Sequence, residues 1–444
     1  MPDYFTHQLE GGVWLAERDN ALLADKAGLG KTAQAIMAAD LRGARNILVL
    51  CPSAAKHNWV KEFTKFSRVI RPVTMPSARH PFTSGGLTVV NYDIVARPSV
   101  FYALQRQRWD VLIADEMHFL KAGLDSKRGR AVLGKADSLV HSADAVWGLS
   151  ATPSPNHPGE LYPWLSAVSP QVLQGLPDYE KFLTAYTDHY FHDKYGLRVV
   201  GSKNLDNLKK RIAPVLLRRD KSVLQLPPLR VGTVSVKGKQ LPELSSVEGH
   251  PDAQKLADII VALQADDTAA GFEAALETYD NEMLARLRRL VGIVKAHPLA
   301  EMVADELNSG TDKIVVMCWH KEVMDIFAAA LAKFRPVQIR GGVSALRAQQ
   351  AVDDFQADPN VRVFIGQIQS AGTAITLTAA HDTLFAEMSW VPGENEQAVE
   401  RIHRIGQTSP CLARFASLEG SIDELVTAVI ARKVAGLVAL YETR

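Results

Sequence analysis

The chain has 444 residues, 47% of them hydrophobic and 22% charged, with a formal net charge of +1. That length exceeds one ordinary domain and suggests about two or three. The near-neutral balance argues against a polybasic coating protein but leaves room for a local basic groove, because net charge averages over faces.

Cys51, Cys318 and Cys411 are scattered and form no CxxC pair, so neither a disulfide framework nor a zinc module is suggested. The opening MPDYFTHQLEGG lacks the basic-then-apolar pattern of a signal peptide, and no apolar run is long enough to span a bilayer. A cytoplasmic location is the expectation.

From the N-terminus, the short run ALLAD (21–25) is followed by KAGLGKT and then by AQAIMAADL, whose apolar spacing is helical. NILVLCP (46–52), LTVVNY (87–92), DVLIADE (110–116) and AVWGLSATP (145–153) are further short β-rich runs. Separated by helix-like segments, they predict βα units and a parallel sheet, whose ligands gather at the carboxyl ends of the strands. From about 157 to 222 the pattern turns aromatic, basic and helical, and the stretch to about 305 is polar and helical too. Alternation resumes with KIVVMCW (313–319), RPVQIRGG (335–342), VRVFIGQ (361–367), DTLFAEM (382–388) and CLARFAS (411–417). The expected fold class is α/β: two parallel-sheet lobes, 1–225 and 306–444, the first with a helical insertion, joined by a linker and helical segment at 226–305.

LLADKAGLGKTAQAI (22–36) has strand, glycine turn and helix in the order a phosphate cradle requires. Gly28 and Gly30 let backbone N–H groups close around anionic oxygens, and the helix that follows offers its positive end. Lys31 would contact the β and γ phosphates of ATP, and Thr32 would hold Mg²⁺. The strict pattern GxxxxGK[ST] wants glycine at position 25, where this chain has Asp25. The rival reading is an ordinary strand-to-helix turn. DVLIADEMH (110–118) weighs against that rival, since its strand ends in two carboxylates. Asp115 would hold Mg²⁺ and Glu116 would orient and deprotonate the attacking water.

QAVERIHRIGQ (397–407) carries Arg401 and Arg404 three apart. On a helix such positions share one face, and the stretch itself offers only Glu400 to meet two guanidiniums. Their anion is sought elsewhere, in a nucleotide phosphate.

Taken in order, these motifs resemble the Swi/Snf-like ATPases of helicase superfamily two. HQLEGG around Gln8 resembles the adenine-reading glutamine motif, and ADKAGLGKTAQAI resembles motif I. VLCPSAAKHNWVKEF (49–63) and VVNYDIV (89–95) resemble motifs Ia and Ib. DEMHFLK (115–121) resembles motif II, and SATPSPN (150–156) motif III. VLLRRDKSVLQLPP (215–228) resembles the stretch where these proteins leave the first lobe, and 340–355 and 369–407 resemble motifs IV to VI. The wording of 369–407 is closest to the fork-remodelling, annealing-helicase branch. Departures include Met117 where a small residue is usual and Ala374 where the second glycine of motif V normally falls.

The resemblance implies two RecA-like lobes with ATP and Mg²⁺ between them, Arg401 and Arg404 stabilising charge on the transferred phosphoryl. It implies DNA contacts by Lys56, Asn58, Trp59, Asn91, Tyr92, Ser370 and Gly372, although Trp59 and Tyr92 equally suit the core. The run Lys209, Lys210, Arg211 suits either a duplex path or a solvated face. A DNA translocase acting on duplex or branched DNA as a monomer is the leading expectation. A regulatory ATPase docked on a protein partner and an RNA helicase are the alternatives. The compact motor suits a bacterial or viral protein more than a chromatin remodeller.

Overall fold

In a computed structural model the chain is described over residues 4–434, apart from 78–84, 136, 156, 193–195, 221–222, 225, 239–280, 372–374, 391, 422, 425, 429 and 432–433. It divides into two compact units, Met1–Val223 and Leu224–Arg444.

The first unit is built on strands β1 (Asn20–Leu23), β2 (Asn46–Cys51), β3 (Val73–Thr74), β4 (Gly86–Asn91), β5 (Trp109–Asp115) and β6 (Ala143–Leu149). Every predicted run in this half is therefore a strand. A hairpin, β7 (Thr187–His192) and β8 (Gly196–Ser202), forms its own antiparallel pair, and β9 (Leu216–Leu217) returns to the main sheet. The order is β3-β4-β2-β5-β6-β1-β9, all parallel. The central strands are buried on both faces, as a parallel sheet covered by helices demands. Helices α1 (Thr6–Ala16), α2 (Lys31–Leu41) and α3 (Lys56–Phe66) belong to this unit. The insertion expected to be helical, 157–222, instead mixes helices Tyr162–Val168, Tyr179–Tyr186 and Leu205–Ile212 with that hairpin and β9.

The second unit is a six-stranded parallel sheet made of β10 (Leu229–Val236), β11 (Ile314–Cys318), β12 (Val337–Ile339), β13 (Val363–Gln367), β14 (Asp382–Phe385) and β15 (Cys411–Leu418). Its order is β10-β15-β14-β11-β13-β12. Period-two alternation divides its core. Ile314, Val316 and Cys318 face one hydrophobic cluster with Leu299, Val303 and Phe327, while Val315 and Met317 face another with Phe355 and Phe415.

The linker at 226–305 needs correcting at both ends. β10 is an edge strand paired with β15 over its full length, and helix Asn281–Asn308 packs on the second sheet. The intervening 239–280 lies outside the described residues.

Candidate nucleotide site

β1 feeds the turn 24–30, and α2 begins at Lys31. Gly28 and Gly30 have φ of +86° and +74°, left-handed values that side chains resist. At Gly30 space forbids a side chain too, since a Cβ would stand 2.2 Å from Gln8 Nε2. Lys31 Nζ donates to the carbonyl of Asp25 at 2.7 Å and lies 3.5 Å from that of Lys26, so the ammonium is held over the turn. Thr32 follows in the first turn of α2. Gln8 is buried against the same turn: its Nε2 lies 3.5 Å from Leu29 O, and its Oε1 accepts from Phe5 N–H at 3.1 Å.

Asp115 ends β5, which lies beside β6, and β6 lies beside β1. Parallel pairing brings the phosphate turn and the carboxylates together at the carboxyl ends of these strands. Trp59 Nε1 donates to Asp115 Oδ2 at 2.8 Å, and the Tyr92 hydroxyl donates to Asp115 O at 2.8 Å. Burial, and then the negative charge of Glu116, push the Asp115 carboxyl up to about 7, against the pull of the Trp59 bond and of Lys31. Two crowded carboxylates of this kind invite a cation.

Glu116 sits at φ +50°, ψ +53°, a left-handed conformation costly for a residue with a side chain. Its Oε2 lies 3.3 Å from His118 Nδ1 and 3.5 Å from Ser150 Oγ, and the last two are 3.0 Å apart. Ser150 also ties β6 to the phosphate strand, its N–H donating to Leu23 O at 3.2 Å. Burial lowers the pKa of His118, and so favours its neutral form, despite the Glu116 charge. Sequence reasoning missed His118 and the anchoring role of Ser150, though both stand inside stretches it singled out.

The donor set suits MgATP. The Thr32 hydroxyl and Asp115 carboxylate are hard oxygen donors of the kind Mg²⁺ takes alongside phosphate oxygens. Among the described residues no group of three or more His, Cys, Asp or Glu could hold a metal by itself.

Three expected DNA contacts are corrected by burial. Trp59 is 1% and Tyr92 2% exposed, and the polar atom of each is donated to Asp115. Tyr92 also stacks on Phe119, with ring centroids 5.4 Å apart. Such side chains brace Asp115, Trp59 at the carboxylate and Tyr92 at the backbone carbonyl, and have no face left for a phosphate backbone. Asn91 is buried too, and its amide donates to Asp93 at 3.0 Å. Lys56 and Asn58 at the start of α3, and Ser370 in the short helix Ile368–Ala371, are half-buried and keep some surface. Gly372 and Ala374 lie outside the described residues. In the basic run, Arg211 is spent on the carbonyls of Val172 and Gln174, while Lys209 and Lys210 are exposed.

In the second unit, helix Pro392–Val399 stops before the paired arginines. Arg401 and Arg404 therefore sit in turns and share no helix face, contrary to their spacing. They converge by another route, since Nη1 of each donates to the same carbonyl, Ile375 O, at 3.4 and 3.0 Å. Arg401 is buried and also donates to Gln397 O, whereas Arg404 is half-buried. Gln407 is a structural residue. Its amide donates to Thr378 O, Ala380 O and Ile402 O, and its Oε1 accepts from Thr408 and Ser409 N–H.

Fold and site together define the class of helicase-like ATPases. Residues 7–243 match the SNF2-related domain, and residues 295–406 match the helicase conserved C-terminal domain. The first match alone exceeds half the chain, which belongs to the SNF2-related family, as its motifs suggest. Over 96% of its length the chain is 31% identical to SWI/SNF-related matrix-associated actin-dependent regulator of chromatin subfamily A-like protein 1 of Xenopus tropicalis. Over 96% it is 27% identical to the human DNA annealing helicase and endonuclease ZRANB3. It spans only 44% and 39% of those two relatives. Among solved structures, the Sulfolobus solfataricus SWI2/SNF2 ATPase core in complex with dsDNA is 20% identical with a TM-score of 0.44, covering 99% of this chain and 95% of that one. Among the described residues no helix is long and apolar enough to cross a membrane.

Proposed function

We propose that the chain is an ATP-driven translocase that moves on duplex or branched DNA. The observation that carries the reading is the meeting of the Lys31 turn and the Asp115–Glu116 pair at the carboxyl ends of strands in the first sheet. The names of the two relatives, one an annealing helicase of DNA, support DNA over RNA as the track.

In this reading the N–H groups about Gly28 and Gly30, with Lys31, hold the nucleotide phosphates. Gln8, on α1 and packed against the turn, reads the adenine. Thr32 and Asp115 hold Mg²⁺, which when bound neutralises charge on the phosphate oxygens. Glu116, oriented by Ser150 and His118, takes the proton of the attacking water. Arg401 and Arg404 of the second unit meet the charge that develops on the transferred group, so turnover requires both units. Lys56, Asn58 and Ser370 contact the DNA backbone, a grip without sequence preference. Each chain carries a full set of these groups and acts as a monomer in the cytoplasm.

The test is the ATPase rate without nucleic acid and with duplex DNA, forked DNA, single-stranded DNA and RNA, each over a salt series. Stimulation by duplex or forked DNA is expected. Stimulation by RNA alone would overturn the choice of track. Indifference to every nucleic acid would point instead to a regulatory ATPase driven by a protein partner.

A further inference from the structure

Asp25 stands where the strict phosphate-loop pattern has glycine, and it is fully buried. A carboxylate there needs partners, and the fold supplies them from the far end of the unit. Arg219 donates its backbone N–H and its Nε to Asp25 Oδ1 at 2.9 and 3.1 Å, and its Nη2 to Oδ2 at 2.6 Å. Gln34 Nε2 adds a fourth donor to Oδ2 at 3.1 Å.

Arg219 reaches further. Its Nη1 donates to His7 O at 2.5 Å, and its Nη2 donates to Gln34 Oε1 at 2.7 Å. The guanidinium thus joins α1, the phosphate turn and α2. Gly11 of α1 permits this approach, because a Cβ there would meet Gln34 Oε1 at 1.8 Å and Arg219 Nη2 at 2.5 Å.

The network has a directed effect on the turn. Leu29 O lies 3.0 Å from His7 Nε2, 3.2 Å from Gln34 Nε2 and 3.5 Å from Gln8 Nε2. In a trans peptide the C=O of one residue and the N–H of the next point in opposite directions. Pinning the Leu29 carbonyl from behind therefore aims the Gly30 N–H the other way, as a cradle for an anion needs.

We propose that Arg219, paired with Asp25 and acting through Gln34 and His7, is a positioning residue that holds the phosphate turn in its anion-binding form. It touches no reacting atom. The inference rests on the ATP reading above and goes beyond it, since it predicts that restoring the strict motif damages the site.

The experiment compares wild type with Asp25→Gly, Arg219→Lys and Gln34→Ala. It measures binding of a fluorescent N-methylanthraniloyl ATP, KM and kcat for ATP, and thermal melting. Asp25→Gly completes GxxxxGK[ST] yet leaves the Arg219 cation only the exposed Glu10 carboxylate, 3.6 Å from Nη1, so nucleotide affinity should fall, and KM rise, by about tenfold or more, with a smaller loss in kcat. Arg219→Lys keeps the charge without the fork and should lie between that variant and wild type. Gln34→Ala leaves the Asp25–Arg219 ion pair intact and should weaken nucleotide binding, with a lowered melting transition because three buried hydrogen bonds go with the amide. It decides the matter if Asp25→Gly does not fold. Nucleotide affinity and KM at wild-type values in folded Asp25→Gly, or in Gln34→Ala, would overturn the inference alone. Failure of the wild type to bind the nucleotide would overturn the ATP reading and the inference with it.

Discussion

Trp59 donates its indole N–H to Asp115 across 2.8 Å, so a residue of α3 holds the carboxylate that ends β5. The bond lowers the carboxyl's pKa against the burial that raises it. Trp59→Phe keeps most of the ring and removes the donor. The expected loss in kcat is about ten- to a hundredfold, matching one hydrogen bond to a charged group of ~1.5–3 kcal/mol, with a higher Mg²⁺ requirement. ATPase assays over a magnesium titration read both effects. Because the ring is buried, DNA affinity by fluorescence anisotropy should not change, and a large loss of it would restore Trp59 as a DNA contact.

Glu116→Gln should preserve the fold and nucleotide binding while cutting hydrolysis by about 10²–10⁴-fold, the usual worth of a positioned base. Ser150→Ala, which leaves the base in place but loosens it, should cost less. Single-turnover hydrolysis beside nucleotide binding separates these outcomes. Equal losses in the two variants would argue that Ser150 does more than orient Glu116.

The paired arginines should differ in kind. Arg404→Ala is expected to retain nucleotide binding and lower kcat by about 10³-fold or more, with little change in melting temperature. Arg401 is buried and bonds Gln397 O as well as Ile375 O. Arg401→Ala should therefore lose stability along with turnover, visible as an earlier melting transition. Normal turnover in Arg404→Ala would end its assignment to the transferred phosphoryl.

Gln407→Ala should behave as a stability variant. It frees the carbonyls of Thr378, Ala380 and Ile402, at an expected cost of ~1–3 kcal/mol to the second unit. Urea unfolding followed by circular dichroism measures the loss. Below the transition its KM for ATP should match wild type.

The strands were legible because each is a short apolar run ending at a turn, and the signals about Lys31 and Asp115 are strictly local. What failed depended on contacts far along the chain. Nothing near Trp59 or Tyr92 shows that their polar atoms turn inward to Asp115. The spacing of Arg401 and Arg404 suggests a helix face, but the helix ends at Val399 and a shared carbonyl replaces it. β10 had left a trace, since LRVGTVSV is a short valine-rich run, although its apolar residues change face between Val231 and Val234 and so break the alternation. Asp25 and Arg219 are 194 residues apart, and the only hint of their pairing was a motif departure.

That separation also bears on synthesis. β1 and the phosphate turn leave the ribosome early, but β9 and Arg219, their neighbours in the fold, emerge only at the end of the insertion. Contacts of such long sequence separation form late. A nascent chain would display its lysine and both carboxylates well before it could hold a nucleotide, leaving Asp25 uncompensated in the interval. For the same reason, a fragment meant to isolate the first unit must extend past Arg219, or it will carry the motif without the means to shape it.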